Sequence, residues 1–208
     1  MLDLLVKDSD LILICGDITH FGDDCAAADC IDPFRKRKTP VFAVSGNCDY
    51  PEVERFLARQ DMDLEGKIRK SGFLSVTGLG ASLPCPGLTP NERPETEFRQ
   101  LCERIYDLRT DFASGFILVV HQPPHGTTCD RLVTGIHVGS HAVRDFIVRA
   151  APVLCITGHI HEAAGIDRIG STVVVNPGPF RAGRYALIDV RLNNGKPEIT
   201  DVQMQSIQ

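Results

Sequence analysis

Four polar clusters in this sequence carry residue types that bind hard or borderline metal ions. They are Gly16-Asp17-Ile18-Thr19-His20, Gly46-Asn47-Cys48-Asp49, His121-Gln122-Pro123-Pro124 and Gly158-His159-Ile160-His161. Asp17 offers an anionic oxygen that can bridge two cations, Asn47 a neutral carbonyl oxygen, and His121, His159 and His161 borderline nitrogens. An oxygen and nitrogen set with no required thiolate suits Mn2+, Fe or Zn2+ better than a structural zinc knot. Two residues apart, His159 and His161 face one side of an extended segment, so they grip either one metal or one each of a close pair. Singly, each cluster is an ordinary turn or a buried histidine. In this order, each after a strand, they describe a site.

The elements that must position these clusters are legible as apolar runs. Leu11–Cys15, Val41–Val44, Phe116–Val120 and Val153–Thr157 read as buried strands, each ending just before one cluster. Between them, Asp24–Lys38, Pro51–Arg59, Glu95–Leu108 and His141–Ala150 read as helices, the first broken or kinked at Pro33 and the second opened by proline in its first turn. Met1–Lys7 reads as the end of an amphipathic helix, and Lys67–Lys70 with Phe73–Leu79 as a hairpin. Alternating strands and helices predict a parallel α/β sheet covered on both faces. From Gly165 onward, Gly165–Arg168, Thr172–Val175, Arg184–Leu192 and Glu198–Met204 read as hairpins of a second, more antiparallel sheet. Two sheets packed face to face with helices outside is the economical arrangement. Ligands in such folds gather at the carboxyl ends of the strands, which brings the four clusters together.

A chain of 208 residues suits one domain with a sizeable core, here residues 1–208, with residues 80–110 as a loop and helix insertion that could form a lid. A net charge of −5 argues against nucleic-acid binding driven by bulk electrostatics, and nucleic acid is not indicated as a partner. No apolar stretch is long enough to span a bilayer and no basic segment opens the chain, so the expected location is cytoplasmic. The eight cysteines include no Cys-x-x-Cys pair and read as reduced thiols. There is no phosphate loop of the G-x-x-x-x-G-K-[S/T] type and no G-x-G-x-x-G after a strand, which counts against a nucleotide switch. Oligomeric state and the physiological substrate stay open.

In these motifs the chain resembles the calcineurin-like metallophosphoesterase superfamily, whose motifs run D-x-H, G-D-x-x, G-N-[H/C]-D, a strand-end His, then G-H-x-H. The resemblance extends to Asn176-Pro177-Gly178 and Gly183-Arg184-Tyr185, similar to the family's final strands. It implies a two-sheet αββα sandwich that lacks the family's N-terminal strand. It also implies a metal-dependent phosphohydrolase acting on a small phosphomonoester or phosphodiester through a metal-bridging hydroxide. Two divalent ions are implied, Mn2+ or Fe first, Zn2+ or Ni2+ as alternatives. Asp17 would bridge them, with Asn47, His121 and His159 on one ion and His161 on the other. The family's D-x-H is absent before Asp17, so the second ion keeps only Asp17 and His161 and its site is weak or empty. The alternative function is therefore a non-catalytic or one-metal binding domain that keeps the fold. An upstream start, with in-frame codons for a strand ending in Asp-x-His, is the expected explanation of the gap.

His20, Cys48 and Asp49 are the catalytic candidates in the same clusters. Cys48 stands where many members carry a histidine that protonates the leaving group, and a thiol with an ordinary pKa of ~8.5 is less suited to that task than imidazolium. Leaving groups that need little protonation, such as phenols, would be favoured. His20 could contact a phosphate oxygen or replace that donor. His125 and His137 lie on loops expected to rim the site, and Arg93, Arg99, Arg104, Arg131, Arg144 and Arg181 are candidate phosphate partners.

Overall fold

The computed structural model describes residues 9–35, 39–108 and 115–207, and the helix end expected at Met1–Lys7 lies outside them. In chain order the strands are β1 (Ile12–Cys15), β2 (Val41–Val44), β3 (Arg69–Ser71), β4 (Leu74–Leu79), β5 (Ile117–Val120), β6 (Leu154–Thr157), β7 (Gly165–Ile169), β8 (Thr172–Asn176), β9 (Arg184–Asn193) and β10 (Lys196–Ser206). The helices are α1 (Asp24–Arg35), α2 (Pro51–Arg59), α3 (Glu95–Asp107) and α4 (His141–Ala150). A six-stranded sheet runs β3-β4-β5-β6-β8-β7, while β1 pairs in parallel with β2, and β9 with β10 as a long antiparallel hairpin.

The alternation of side chains along each strand fixes the layers. Ile117 and Val119 of β5, Leu154 and Ile156 of β6, and Val173 and Val175 of β8 face a core shared with Leu13 and Cys15 of β1 and Phe42 and Val44 of β2. Ala186, Ile188, Ile199 and Val202 of the β9–β10 hairpin pack on the same core. The alternate residues Leu118, Val120, Cys155 and Val174 face outward to Phe98, Leu101 and Ile105 of α3 and Val143, Phe146 and Ile147 of α4. On the opposite side, Val41 and Ala43 of β2 meet Ala27 and Ile31 of α1 and Val53, Phe56 and Leu57 of α2. The result is an αββα sandwich. Each large apolar side chain buried this way contributes about 1.5–3 kcal/mol, and a one-residue slip would turn a strand's whole set to the wrong layer.

Two expectations are corrected. The hairpin β7–β8 does not belong to a second sheet: β8 continues the large sheet in parallel with β6, and of these four late strands only β9 and β10 stand apart from it. Helix α1 runs through Pro33 to Arg35, so the proline does not break it. Pro33 sits in its last turn, where a missing N–H leaves only the Asp29 carbonyl without its helical donor. All eight cysteines are free thiols.

The loop after β5 is held by one buried carboxylate. Asp130 accepts from the backbone N–H of Gly126 at 3.0 Å, Thr127 at 2.8 Å and Gly139 at 2.9 Å, and from His137 Nδ1 at 2.7 Å. Burial pushes its carboxyl up, but His137 and the backbone donors outweigh that and hold it below the usual carboxylate range. A lowered folded pKa gives stability that is present above the unfolded value of ~3.9 and lost as pH falls through the folded one. Asp130→Asn is expected to cost about 1–3 kcal/mol at neutral pH, because an amide nitrogen then faces backbone N–H groups. It should also flatten the acid limb of Tm against pH, which thermal melts from pH 7 to pH 3 would record.

Candidate metal centre

The loops that follow β1 and β2 cross at two glycines. A Cβ on Gly16, whose φ is +86°, would stand 2.5 Å from His121 Nδ1, and a Cβ on Gly46 would stand 2.1 Å from both the backbone nitrogen and Oδ1 of Asp17. Only hydrogen fits at either position. Asp49 then ties the loops together: its buried carboxylate accepts from Ile18 N at 3.1 Å, Thr19 N at 2.7 Å, Thr19 Oγ1 at 2.9 Å and Gly46 N at 2.7 Å. Burial pushes the Asp49 carboxyl up, and these donors counter it. The Cys48 backbone N–H donates to Asp17 Oδ1 at 2.9 Å, which aims that carboxylate across the gap between the sheets.

The donor atoms converge there. His121 Nδ1 lies 2.6 Å from the Cys15 carbonyl oxygen, and a carbonyl only accepts, so Nδ1 carries the ring's proton. In the neutral ring Nε2 then presents a lone pair, and it faces Asn47 Oδ1 at 2.9 Å and Asp17 Oδ1 at 3.5 Å. The other end of the Asn47 amide, Nδ2, donates to Thr89 Oγ1 at 3.0 Å. His159 Nδ1 reaches the same Asn47 oxygen at 2.8 Å. His159 stands in the left-handed region at φ 64°, as does Asp17 at 49°, conformations that side chains rarely adopt outside sites that constrain them. His121 and Asn47 are 1% and 4% exposed, so water does not relieve the contact.

Two buried lone pairs facing each other without a proton between them repel. A cation among Asp17, Asn47, His121 and His159 turns each of those contacts favourable, and the oxygen and nitrogen set suits a divalent ion of borderline hardness. Burial above all pushes the His159 ring down to about 4, so it is neutral near pH 7 and one of its two nitrogens carries a lone pair.

The remaining candidates sit around this point. His161 opens a 3-10 turn, His161–Ala163, and is exposed; His159 before it stands at positive φ, so the segment between them is not a regular extended one. Its Nδ1 lies 3.4 Å from Arg181 Nη2, and burial followed by that guanidinium lowers its pKa. Cys48 is half-buried beside Asn47, and desolvation, then the Asp17 carboxylate, push its thiol up to about 12. His20 is exposed, its ring edge-on to Phe21 at 4.6 Å. His125 stacks on His141 at 3.9 Å, and His137 is taken by Asp130. Of the arginines, Arg93 pairs with Glu54, Glu65 and Glu97, Arg99 with Asp145, and Arg144 donates to the His125 carbonyl. Arg181 contacts His161, a candidate ligand.

The chain matches the calcineurin-like phosphoesterase superfamily domain over residues 2–191. It belongs to that superfamily. Uncharacterized protein MJ1162 of Methanocaldococcus jannaschii is 36% identical over 190 residues, covering 89% of this chain and 83% of its own. A probable cyclic nucleotide phosphodiesterase of Ruthia magnifica is 23% identical, covering 82% of this chain and 70% of its own length. TT1561 of Thermus thermophilus superposes with a TM-score of 0.73 at 20% identity, over 100% of this chain and 92% of that one. A putative 5'-nucleotidase of Staphylococcus aureus gives a TM-score of 0.59 at 16% identity, over 91% of this chain but 41% of that one. At these identities the two structures report the fold. Calcineurin-like phosphoesterases generally use divalent metals.

Two parts of the centre are not legible in the sequence. The Cys15 carbonyl carries no sequence signal, because every residue has one. Thr89 lies in a loop of mixed composition, 42 positions from its partner Asn47. The glycine crossing has a direct test. Gly46→Ala should destabilise the fold by about 1–3 kcal/mol, since its Cβ forces the loops apart. Gly87→Ala, where a Cβ would meet only Thr89 Cγ2 at 3.7 Å, should be neutral or gain about 0.4–1 kcal/mol. Urea midpoints of the two variants compare them.

Proposed function

We propose that this phosphoesterase is a metal-dependent hydrolase that cleaves a phosphomonoester or phosphodiester. The observation that carries the reading is that His121 Nε2 faces both Asn47 Oδ1 and Asp17 Oδ1, while His159 Nδ1 reaches the same Asn47 oxygen, at the strand ends of a phosphoesterase fold. Asp17, Asn47, His121 and His159 would hold one divalent ion, and Asp17 with His161 a second. A bound divalent ion supplies Lewis acidity toward a phosphoryl oxygen and a nucleophilic water at neutral pH.

The chain's own residues supply position and charge. The Cys15 carbonyl keeps the His121 proton on Nδ1, so Nε2 stays free. Cys48 N and the Asp49 clamp fix the direction of Asp17. Arg181, beside His161, offers a guanidinium to a phosphate oxygen at the exposed rim. The Cys48 thiol, next to Asn47, would be the proton-bearing group available to a leaving atom. The similarity to a probable cyclic nucleotide phosphodiesterase supports a diester over a monoester.

A one-ion reading has its own support: His161 is exposed, close to the Arg181 guanidinium, and shares only Asp17 with the first set. Metal content separates the two, near two ions per chain against one. The catalytic reading is tested by Mn2+-stimulated hydrolysis of bis(4-nitrophenyl) phosphate and of 4-nitrophenyl phosphate. Turnover is expected, faster on the diester. His159→Ala should cost more than the roughly 10–100-fold typical of residues that merely support a ligand. No turnover with Mn2+, or full activity in His159→Ala, would reject the reading.

A further inference from the structure

A hydrogen-bond chain with a fixed polarity runs from the loop Gly80–Pro94 into the candidate centre. Glu92 Oε1 accepts from Thr89 N at 2.8 Å, from Thr89 Oγ1 at 2.7 Å and from the Cys85 thiol at 3.1 Å. A carboxylate only accepts, and a hydroxyl has one proton, so the Thr89 proton is spent on Glu92. Thr89 Oγ1 must therefore meet Asn47 with a lone pair. Only the NH2 end of the amide can answer it, at 3.0 Å. Glu92 keeps this acceptor role: desolvation raises its carboxyl, but the Thr89 and Cys85 donors prevail and hold it at about 2.

The alternative orientation of Asn47 matters more. A flipped amide would point its NH2 at the lone pair on His121 Nε2, a comfortable hydrogen bond that needs no ion. Thr89 denies the chain that solution. It leaves Asn47 Oδ1 and His121 Nε2 opposed at 2.9 Å, ready for a cation. The loop that delivers Thr89 is stapled to the same segment. Asn91 N donates to the Asn47 carbonyl at 3.1 Å, and Asn91 Nδ2 donates to the Gly46 carbonyl at 3.0 Å. Arg93 then ties the loop's end to Glu54 and Glu65.

We propose that Thr89, backed by Glu92, is a positioning residue that sets the orientation of the Asn47 amide and through it the affinity for a divalent ion. This rests on the metal-binding reading of the centre proposed above. The test is calorimetric titration of EDTA-stripped protein with Mn2+ alone. Thr89→Val keeps the shape and removes the hydroxyl, and it should weaken Mn2+ binding by about 10–100-fold. Thr89→Ser should restore it. In an Asn47→Asp background both ends of the side chain are oxygens, so Thr89→Val should there cost little or nothing. Wild-type affinity in Thr89→Val overturns the inference. So does an equal loss in Thr89→Ser, or the same loss in the Asn47→Asp background. Absence of Mn2+ binding by the wild-type protein would instead overturn the metal reading, and the inference with it.

Discussion

Everything in this centre depends on Asn47 Oδ1 and His121 Nε2 being held face to face. Asn47 Oδ1 and His121 Nε2 stand 2.9 Å apart in a buried gap, and each is locked from behind. The Cys15 carbonyl holds the proton of His121 on the far nitrogen, and the Thr89 hydroxyl holds the amide nitrogen of Asn47 on the far side. Neither group can rotate to relieve the repulsion without abandoning a buried partner, at about 1–3 kcal/mol for each group left unsatisfied. A divalent cation placed between the two atoms would turn that repulsion into attraction.

The sandwich exists to bring those atoms together from both sheets. Asp17 and Asn47 come from the ends of β1 and β2, His121 and His159 from the ends of β5 and β6. The layers register through alternating side chains, so the strand ends meet at one edge. Gly16 and Gly46 then let the backbones approach to distances that any side chain would forbid. Asp49, with four donors on one buried carboxylate, keeps the two loops from parting.

Much of this was legible in the sequence, for identifiable reasons. Runs such as Val41–Val44 and Phe116–Val120 are strong strand signals, and a chemically distinct cluster at the end of each points to the site whatever the details of the sheet. Topology was less legible. Period-2 alternation says which side chains share a face but not which strand lies beside which, so β7–β8 was assigned to the wrong sheet. The turn of the backbone at His159 is not legible, because a left-handed residue carries no sequence mark when it is not glycine. The part played by Thr89 was invisible, since a threonine in a loop says nothing of a partner so far along the chain.

The central claim is that Asp17, Asn47, His121 and His159 share one divalent ion. Anomalous diffraction from crystals soaked in Mn2+ tests it directly. The account predicts an anomalous peak about 2.0–2.2 Å from Asn47 Oδ1, His121 Nε2, a His159 ring nitrogen and an Asp17 oxygen, distances common for such ligands on a divalent transition metal. A map with no peak there, and with Asn47 flipped so that its nitrogen bonds His121, would contradict it.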